Sequence, residues 1–505
     1  MLGKCNKYHF KMLYLIKMGI SYPVWDSAMF AYTISAHIII VGITLAMALV
    51  ITIAEYIALK RKNKYYEALA HKLSIALVIN FAIGTASGVF MAVELMLFWP
   101  VFMRLVGAVA MLSFYAEVFA FLVESITLMV YVYFWDNFKN RWNHWLVSWG
   151  VLFGTGASAW LITNVNAWMN TPTGSFNIAK YISSGGSVIT GVNPLKVFDE
   201  PSTGPELFHM FMAMYFAGSM ALLAYFAYKY LKSKNDEEKK IDRSAMKILS
   251  AIGIVDIILI GISGSIELST LLVVEPLKYA MLELNMHPVM SGAPEHLFGF
   301  IVNGKSVDFI PLAGIQSLLA YPLTKGNAGY IPGLSSYPSY TWAPSVIHDT
   351  LDLMVGFGLL MGLFWFIVLV LRLMKKDIFN MKWILYGFIG MGFLGMFTME
   401  DGWYTAEVGR VPYIILMPYN SAGQPIIAGH YGVMTIAEAA STSTIVWYLG
   451  IVIILFYLII IPFTFYFNAK VLNLANVDDE LRKAEKDLNI NNPGKDINSV
   501  NAGAR

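Results

Sequence analysis

The chain has 505 residues, 57% hydrophobic and only 13% charged, with a mean hydropathy of +0.60 and a formal charge of +2. That balance belongs to membrane proteins; it excludes an ordinary soluble domain, and so small a net charge gives no basic field for nucleic acid. A single cysteine, Cys5, excludes an intrachain disulfide and a cysteine-held zinc or iron–sulfur centre, so metal chemistry must rest on His, Met, Asp or Glu.

In chain order, MLGKCNKYHFKMLYLIKMG is basic with a short apolar patch and no clean cleavage site, and reads as a retained extension over 1–28. A bilayer crossing needs roughly 20 apolar residues as helix. Nine stretches meet this, at about 29–58, 72–97, 103–134, 146–169, 208–231, 247–271, 346–373, 383–407 and 443–468. Long connections occupy 170–207, 272–345 and 408–442, and a polar tail, weakly helical at DDELRKAEKDL and then disordered, fills 472–505. The expected class is all-α: a polytopic membrane domain of nine transmembrane helices over 29–471. Lys and Arg crowd KRKNK, DNFKNRWNHW, KYLKSKNDEEKKIDR, RLMKKD and the tail, which predicts the N-terminus outside, the C-terminus in the cytoplasm and the long connections external. No internal repeat is visible, which argues against a transporter built on inverted repeats.

Polar residues within spans are expensive and therefore informative. His37 lies about two turns below the outer end of span 1, where a packing histidine and a ligand are equally compatible with the spacing. Glu55 is about 27 Å further along the same helix, too far to share a metal, and reads as a snorkelling residue near the inner surface. Glu117 and Glu124 on span 3 are about 700° apart, so they form one stripe: a proton relay or a buried hydrogen-bonded pair. His209 at the start of span 5 and Met354 in the outer part of span 7 share a depth; a lone methionine is usually core, but His/Met is a known haem ligation. Glu407 closes span 8 with Arg410 at helical spacing, flanked by Trp403, Tyr404 and Tyr413: an interfacial ion pair with an aromatic belt, or a site. The stretch VVEPLKYAMLELNMHPVM, with Lys278 and Glu283, reads as a solvated loop or as a lid for an amphiphile arriving from the membrane.

Together these stretches resemble subunit I of the cytochrome bd-type quinol oxidases over nearly the whole chain after residue 26. GWYTAEVGRVPY is similar to the family's GWxxxExGRQPW, and EPLKYAMLE to the QPxKxAxxE of its quinol loop. NFAIGTASGVFM, AFLVES and SAWLITNVNAWMNTP match in order and spacing. The resemblance implies two haem b groups and one haem d, or a third haem b in its place. His37 would ligate haem d, Glu407 the high-spin haem b, and His209 with Met354 the low-spin haem b. Asn166, Trp168 and Trp403 would lie near the haems, and Lys278 and Glu283 in the external quinol loop 272–345. Arg410 would balance Glu407 or a propionate, and Glu117 and Glu124 would carry protons. The implied protein is a plasma-membrane quinol:dioxygen oxidoreductase that makes water with cytoplasmic protons and generates potential without pumping. Its implied partners are a homologous second membrane subunit, small single-span subunits as a further option, quinol, dioxygen and lipid.

The chain departs from the family at Asp352, where an Arg is usual two residues before the methionine ligand, at Val411-Pro412-Tyr413, at Ser27 and Met29, and at Glu117, one place off the usual acid spacing. An ionised Asp352 would lower the potential of the low-spin haem. Two other readings remain from the sequence: a haem-containing quinol-linked subunit with an acceptor other than dioxygen, and a proton-coupled transporter, which predicts no pigment.

Overall fold

The computed structural model describes residues 21–289, 293–312, 331–474 and 476–490. Among them nine helices are long and apolar enough to cross a membrane: α1 (Tyr22–Arg61), α2 (Lys64–Phe98), α4 (Met111–Tyr133), α5 (Arg141–Asn170), α7 (Thr203–Lys232), α8 (Asp236–Val274), α10 (Val346–Leu373), α11 (Lys382–Val408) and α13 (Ile445–Leu474). The shorter elements are α3 (Pro100–Val109), α6 (Ile178–Ser183), α9 (Pro276–Leu282), β1 (Glu295–Val302), β2 (Lys305–Leu312), β3 (Tyr413–Leu416), β4 (Gly432–Thr435), α12 (Ile436–Ala439) and α14 (Val477–Asp487).

The bundle has a loop end, with the three long connections, and a basic end, with the Lys/Arg-rich turns. At the basic end α2, α5 and α8 begin on Asn63, Asn140 and Asn235, whose side-chain oxygens accept first-turn backbone N–H groups. Helix α1 is central. It packs on α2, α5, α7 and α13, and 72% of its most apolar stretch is buried, against 17–56% in the other spans. Its start is pinned by Trp25, which stacks on Trp447 at 4.4 Å and donates to the Val446 carbonyl. On the outside, α4, α10 and α13 expose Phe119, Leu359 and Ile459, as lipid-facing helices do.

Glycine sets the closest approach of α4 and α5. A Cβ on Gly154 would lie 2.6–2.8 Å from the backbone and Cβ of Glu124, whereas one on Gly107 would meet nothing within 4 Å. Gly154→Ala should therefore force these helices apart and cost about 1–3 kcal/mol, while Gly107→Ala is neutral. Thermal unfolding in detergent checks this: equal midpoints for the two variants would contradict the packing.

Several expectations need correcting. The third span is not one helix from 103. Pro100 opens a separate helix α3, and the chain breaks again at Ala110, a position no Pro or Gly marks. Residues 22–28, placed in the extension, begin α1; 1–20, with Cys5, lie outside the described residues. The 272–345 connection is not simply a solvated loop: α9 is buried throughout, and β1–β2 form an antiparallel hairpin turning at Asn303-Gly304. The tail docks. Glu480 meets His71 at 2.8 Å, Lys64 meets Glu485 at 2.6 Å and Trp135 Nε1 donates to Asp487 at 3.1 Å. Glu55 does not snorkel; it is fully buried.

Candidate functional site

The two span histidines share a design. His37 on α1 has its Nδ1 2.9 Å from Ser87 Oγ of α2, and Ser87 in turn meets Tyr457 OH of α13 at 2.7 Å. His209 on α7 has its Nδ1 3.0 Å from Ser263 Oγ of α8. A hydroxyl on Nδ1 fixes each ring and leaves Nε2 without a hydrogen-bond partner, the arrangement a metal-ligating imidazole needs. Both side chains remain only half-buried although they lie within the bundle.

Glycine makes room at the second pair of positions. A Cβ on Gly264 would stand 3.2 Å from His209 Cε1, and one on Gly402 would stand 3.0 Å from Met354 Sδ. Helices α7, α8, α10 and α11 pack in a ring, each on the next and α11 back on α7, and carry His209, Gly264, Met354 and Gly402 respectively. His209 and Met354 stand on helices linked through α8 and α11, each with a glycine beside it, and an imidazole nitrogen with a thioether is a donor set that would suit a haem iron. No group of three or more His, Cys, Asp and Glu among the described residues is arranged to hold a bare metal ion.

Glu407, near the end of α11, is held from two sides. Asn166 of α5 donates to its Oε1 at 2.7 Å, and Arg410 pairs with its Oε2. Arg410 is buried and also donates to Asn166 at 3.0 Å and to Asn170 at 3.2 Å. A carboxylate has about four acceptor positions, so Glu407 keeps capacity for iron while bound this way. The helical-spacing expectation for Glu407 and Arg410 is met. Trp403 packs with Met210, Met214 and Met399 at the junction of α1, α7 and α11. Trp168 is fully buried and donates to Ser175 at 2.9 Å, so it braces the base of the 170–207 connection.

The long loop comes to this cluster. Lys278 is buried, pairs with Glu275 at 3.2 Å, and lies so close to Gly409 that a Cβ there would sit 2.9 Å from its Cε. Asn170 donates to Glu206 at 3.0 Å. Glu206 and Glu267 lie within electrostatic reach of Lys278 and Glu275. Sequence reading missed Glu206, Glu267, Glu275 and Asn170. Glu206, three residues before His209, carries a signal: a carboxylate one turn from a candidate ligand.

The hairpin is clamped to α10 by acids at its start. Asp352 accepts the Phe298 N–H at 2.5 Å and Asp349 accepts that of Gly299 at 3.0 Å. Phe298 is in the left-handed region (φ 54°), which turns consecutive N–H groups toward α10. The Asp352 carboxylate lies 3.5 Å from His348 Nε2, and His348 Nδ1 meets the Leu282 carbonyl at 2.6 Å. Glu283, at the end of α9, hydrogen-bonds Glu295 of β1; burial pushes the Glu295 carboxyl up, and the Glu283 bond only partly offsets it.

On the other side of the bundle Ser158 of α5 donates to Glu117 at 2.7 Å, and Glu124 stands against Gly154 and Thr155 of the same helix. Both acids face α5, so the expected stripe is present.

The sequence profile of the family described as "Cytochrome bd terminal oxidase subunit I" matches residues 25–475. A provisionally named cytochrome bd menaquinol oxidase subunit I of Bacillus subtilis is 30% identical over 81% of this chain and 90% of its own. The cytochrome bd-II ubiquinol oxidase subunit 1 of Escherichia coli is 26% identical over 79% and 89%. The solved bd oxidase from Geobacillus thermodenitrificans superposes with a TM-score of 0.79 at 26% identity, covering 91% of this chain and all of that one.

Proposed function

Because the chain belongs to the cytochrome bd terminal oxidase subunit I family, we propose that this multi-pass plasma-membrane protein oxidises quinol at its loop end and reduces dioxygen to water. The loop end faces outside and the basic end the cytoplasm, so quinol protons leave outside and protons for water come from inside. The observation that carries the reading is the pair of serine-braced histidines with Met354 and Glu407. Haem held by His37, by His209 with Met354, and by Glu407 would supply the one-electron and dioxygen chemistry.

The chain's own residues do the rest. Arg410 compensates the Glu407 carboxylate; Asn166 orients both, and Asn170 holds Arg410 alone. Lys278 and Glu275, buried beside Gly409, offer a quinol hydroxyl a donor and an acceptor. The Glu283–Glu295 pair stands where α9 meets the hairpin and would take quinol protons toward the outside. Glu124 and Glu117 deliver protons from the other side. Asp352 is spent on clamping the hairpin, in the place where the resemblance expects an arginine. A homologous membrane subunit completes the complex.

Lys278→Ala in the assembled complex should raise the KM for quinol and lower oxygen uptake by about 10–100-fold with haem content unchanged. Oxygen uptake against quinol concentration checks this; an unaltered curve would remove Lys278 from the quinol site.

A further inference from the structure

Two carboxylates that the proposed mechanism does not use are buried at the basic end. Glu55 of α1 accepts the Tyr131 hydroxyl at 2.7 Å, lies 2.6 Å from His144 Nδ1, and meets Arg141 at 3.3 Å. Arg141 also pairs with Glu67 of α2. Two buried carboxylates thus face one guanidinium, with the His144 imidazole hydrogen-bonded into the same group. Glu67 Oε2 and Arg141 Nε are buried without a hydrogen-bond partner, and such atoms are usually met by water.

This cluster lies in line with the acid stripe. Tyr131 follows Glu124 by seven residues, as Glu124 follows Glu117, so the three share one face of α4 at intervals of about 10 Å. On α5, His144, Ser148, Thr155 and Ser158 fall on one face as well; Ser158 bonds Glu117, and His144 Nε2 meets the Tyr131 carbonyl at 2.8 Å. On the side of the cluster away from the bundle, Trp135 packs over the Arg141 guanidinium at 4.6 Å and donates to Asp487 of the docked tail helix.

We propose that Glu67, Glu55 and Tyr131 are the intake of the proton route to Glu124 and Glu117, with Asp487 at its mouth. The proposal rests on the oxidase reading. Each dioxygen takes four electrons from two quinols and four protons through this route, giving two waters. Protons pass from Asp487 to the Glu67–Glu55 cluster, then along the hydroxyls of Tyr131, Ser148 and Thr155 with waters between them. The ~10 Å intervals exceed a hydrogen bond of ~3 Å, so two or three waters fill each.

The test uses the assembled complex in its membranes, with Glu55→Gln and Tyr131→Phe. Oxygen uptake should fall at least about tenfold in Glu55→Gln and severalfold in Tyr131→Phe, with a larger D₂O effect. Haem content and the anaerobic rate of haem reduction by quinol should stay at wild-type values, because electrons enter at the other end; a merely structural role would lower these too. Should Glu55→Gln fail to assemble, Tyr131→Phe, which removes one hydroxyl, decides alone. Haem-replete variants with wild-type uptake and isotope effect would overturn the route. A wild-type complex without quinol-driven uptake would overturn the oxidase reading itself.

Discussion

Met354→Leu should abolish the low-spin haem signal and, with it, quinol-driven oxygen uptake. Leucine conserves the volume, so the packing against Gly402 costs under about 1.5 kcal/mol and the fold remains. The thioether is lost outright. The loss of uptake should exceed the roughly 10–100-fold expected when only a supporting hydrogen bond is removed. His209→Ala should act alike, and Ser263→Ala should fall within that smaller range, because Ser263 only orients the ring. Reduced-minus-oxidised spectra of the purified variants check the ligation directly. A wild-type low-spin signal in Met354→Leu would exclude the methionine as a ligand.

Glu407→Leu should be the second severe change, for two separable reasons. It removes the only carboxylate hydrogen-bonded to Arg410 in the contacts described, leaving a buried guanidinium hydrogen-bonded to Asn166 and Asn170, with Glu206 reaching it only at longer range. Breaking this pair costs about 3 kcal/mol, the low end for a buried pair because Glu407 itself is partly exposed and Glu206 lies within electrostatic reach of Arg410. It also removes the proposed anionic ligand. The double variant Glu407→Leu/Arg410→Leu should recover much of the stability and none of the oxygen uptake. Thermal unfolding and uptake measured on both variants separate the two effects; recovered activity in the double variant would show that Glu407 serves only to balance Arg410.

Much of this was legible in the sequence. The nine spans follow from apolar length; the polar span residues marked His37, His209 and Glu407 as candidates, and only the family resemblance proposed them, with Met354, as ligands. The Glu117–Glu124 stripe followed from helical period alone. What escaped depends on contacts between distant segments. Nothing near Glu55 announces Tyr131 and His144, which come from α4 and α5. Ser87 and Ser263 are ordinary helix residues until the histidines meet them. Asn303-Gly304 is a hairpin turn signal between apolar runs, but a single turn dipeptide inside the 74-residue connection 272–345 does not by itself fix two paired strands. The burial of α9 has no local sign, since a Lys and a Glu around a half-apolar stretch look solvated until Glu275, Gly409 and Glu295 are in place.

The most direct measurement is a dithionite-reduced minus air-oxidised difference spectrum of the purified complex, with a haem count on the same sample. Haem b bands with a red-absorbing chlorin band, at three haems per chain, are the expected result; three haems without the red band would put haem b at His37. Protein purified with its partner and a secured haem supply that shows no haem bands would contradict the account and return the buried acids to a transporter.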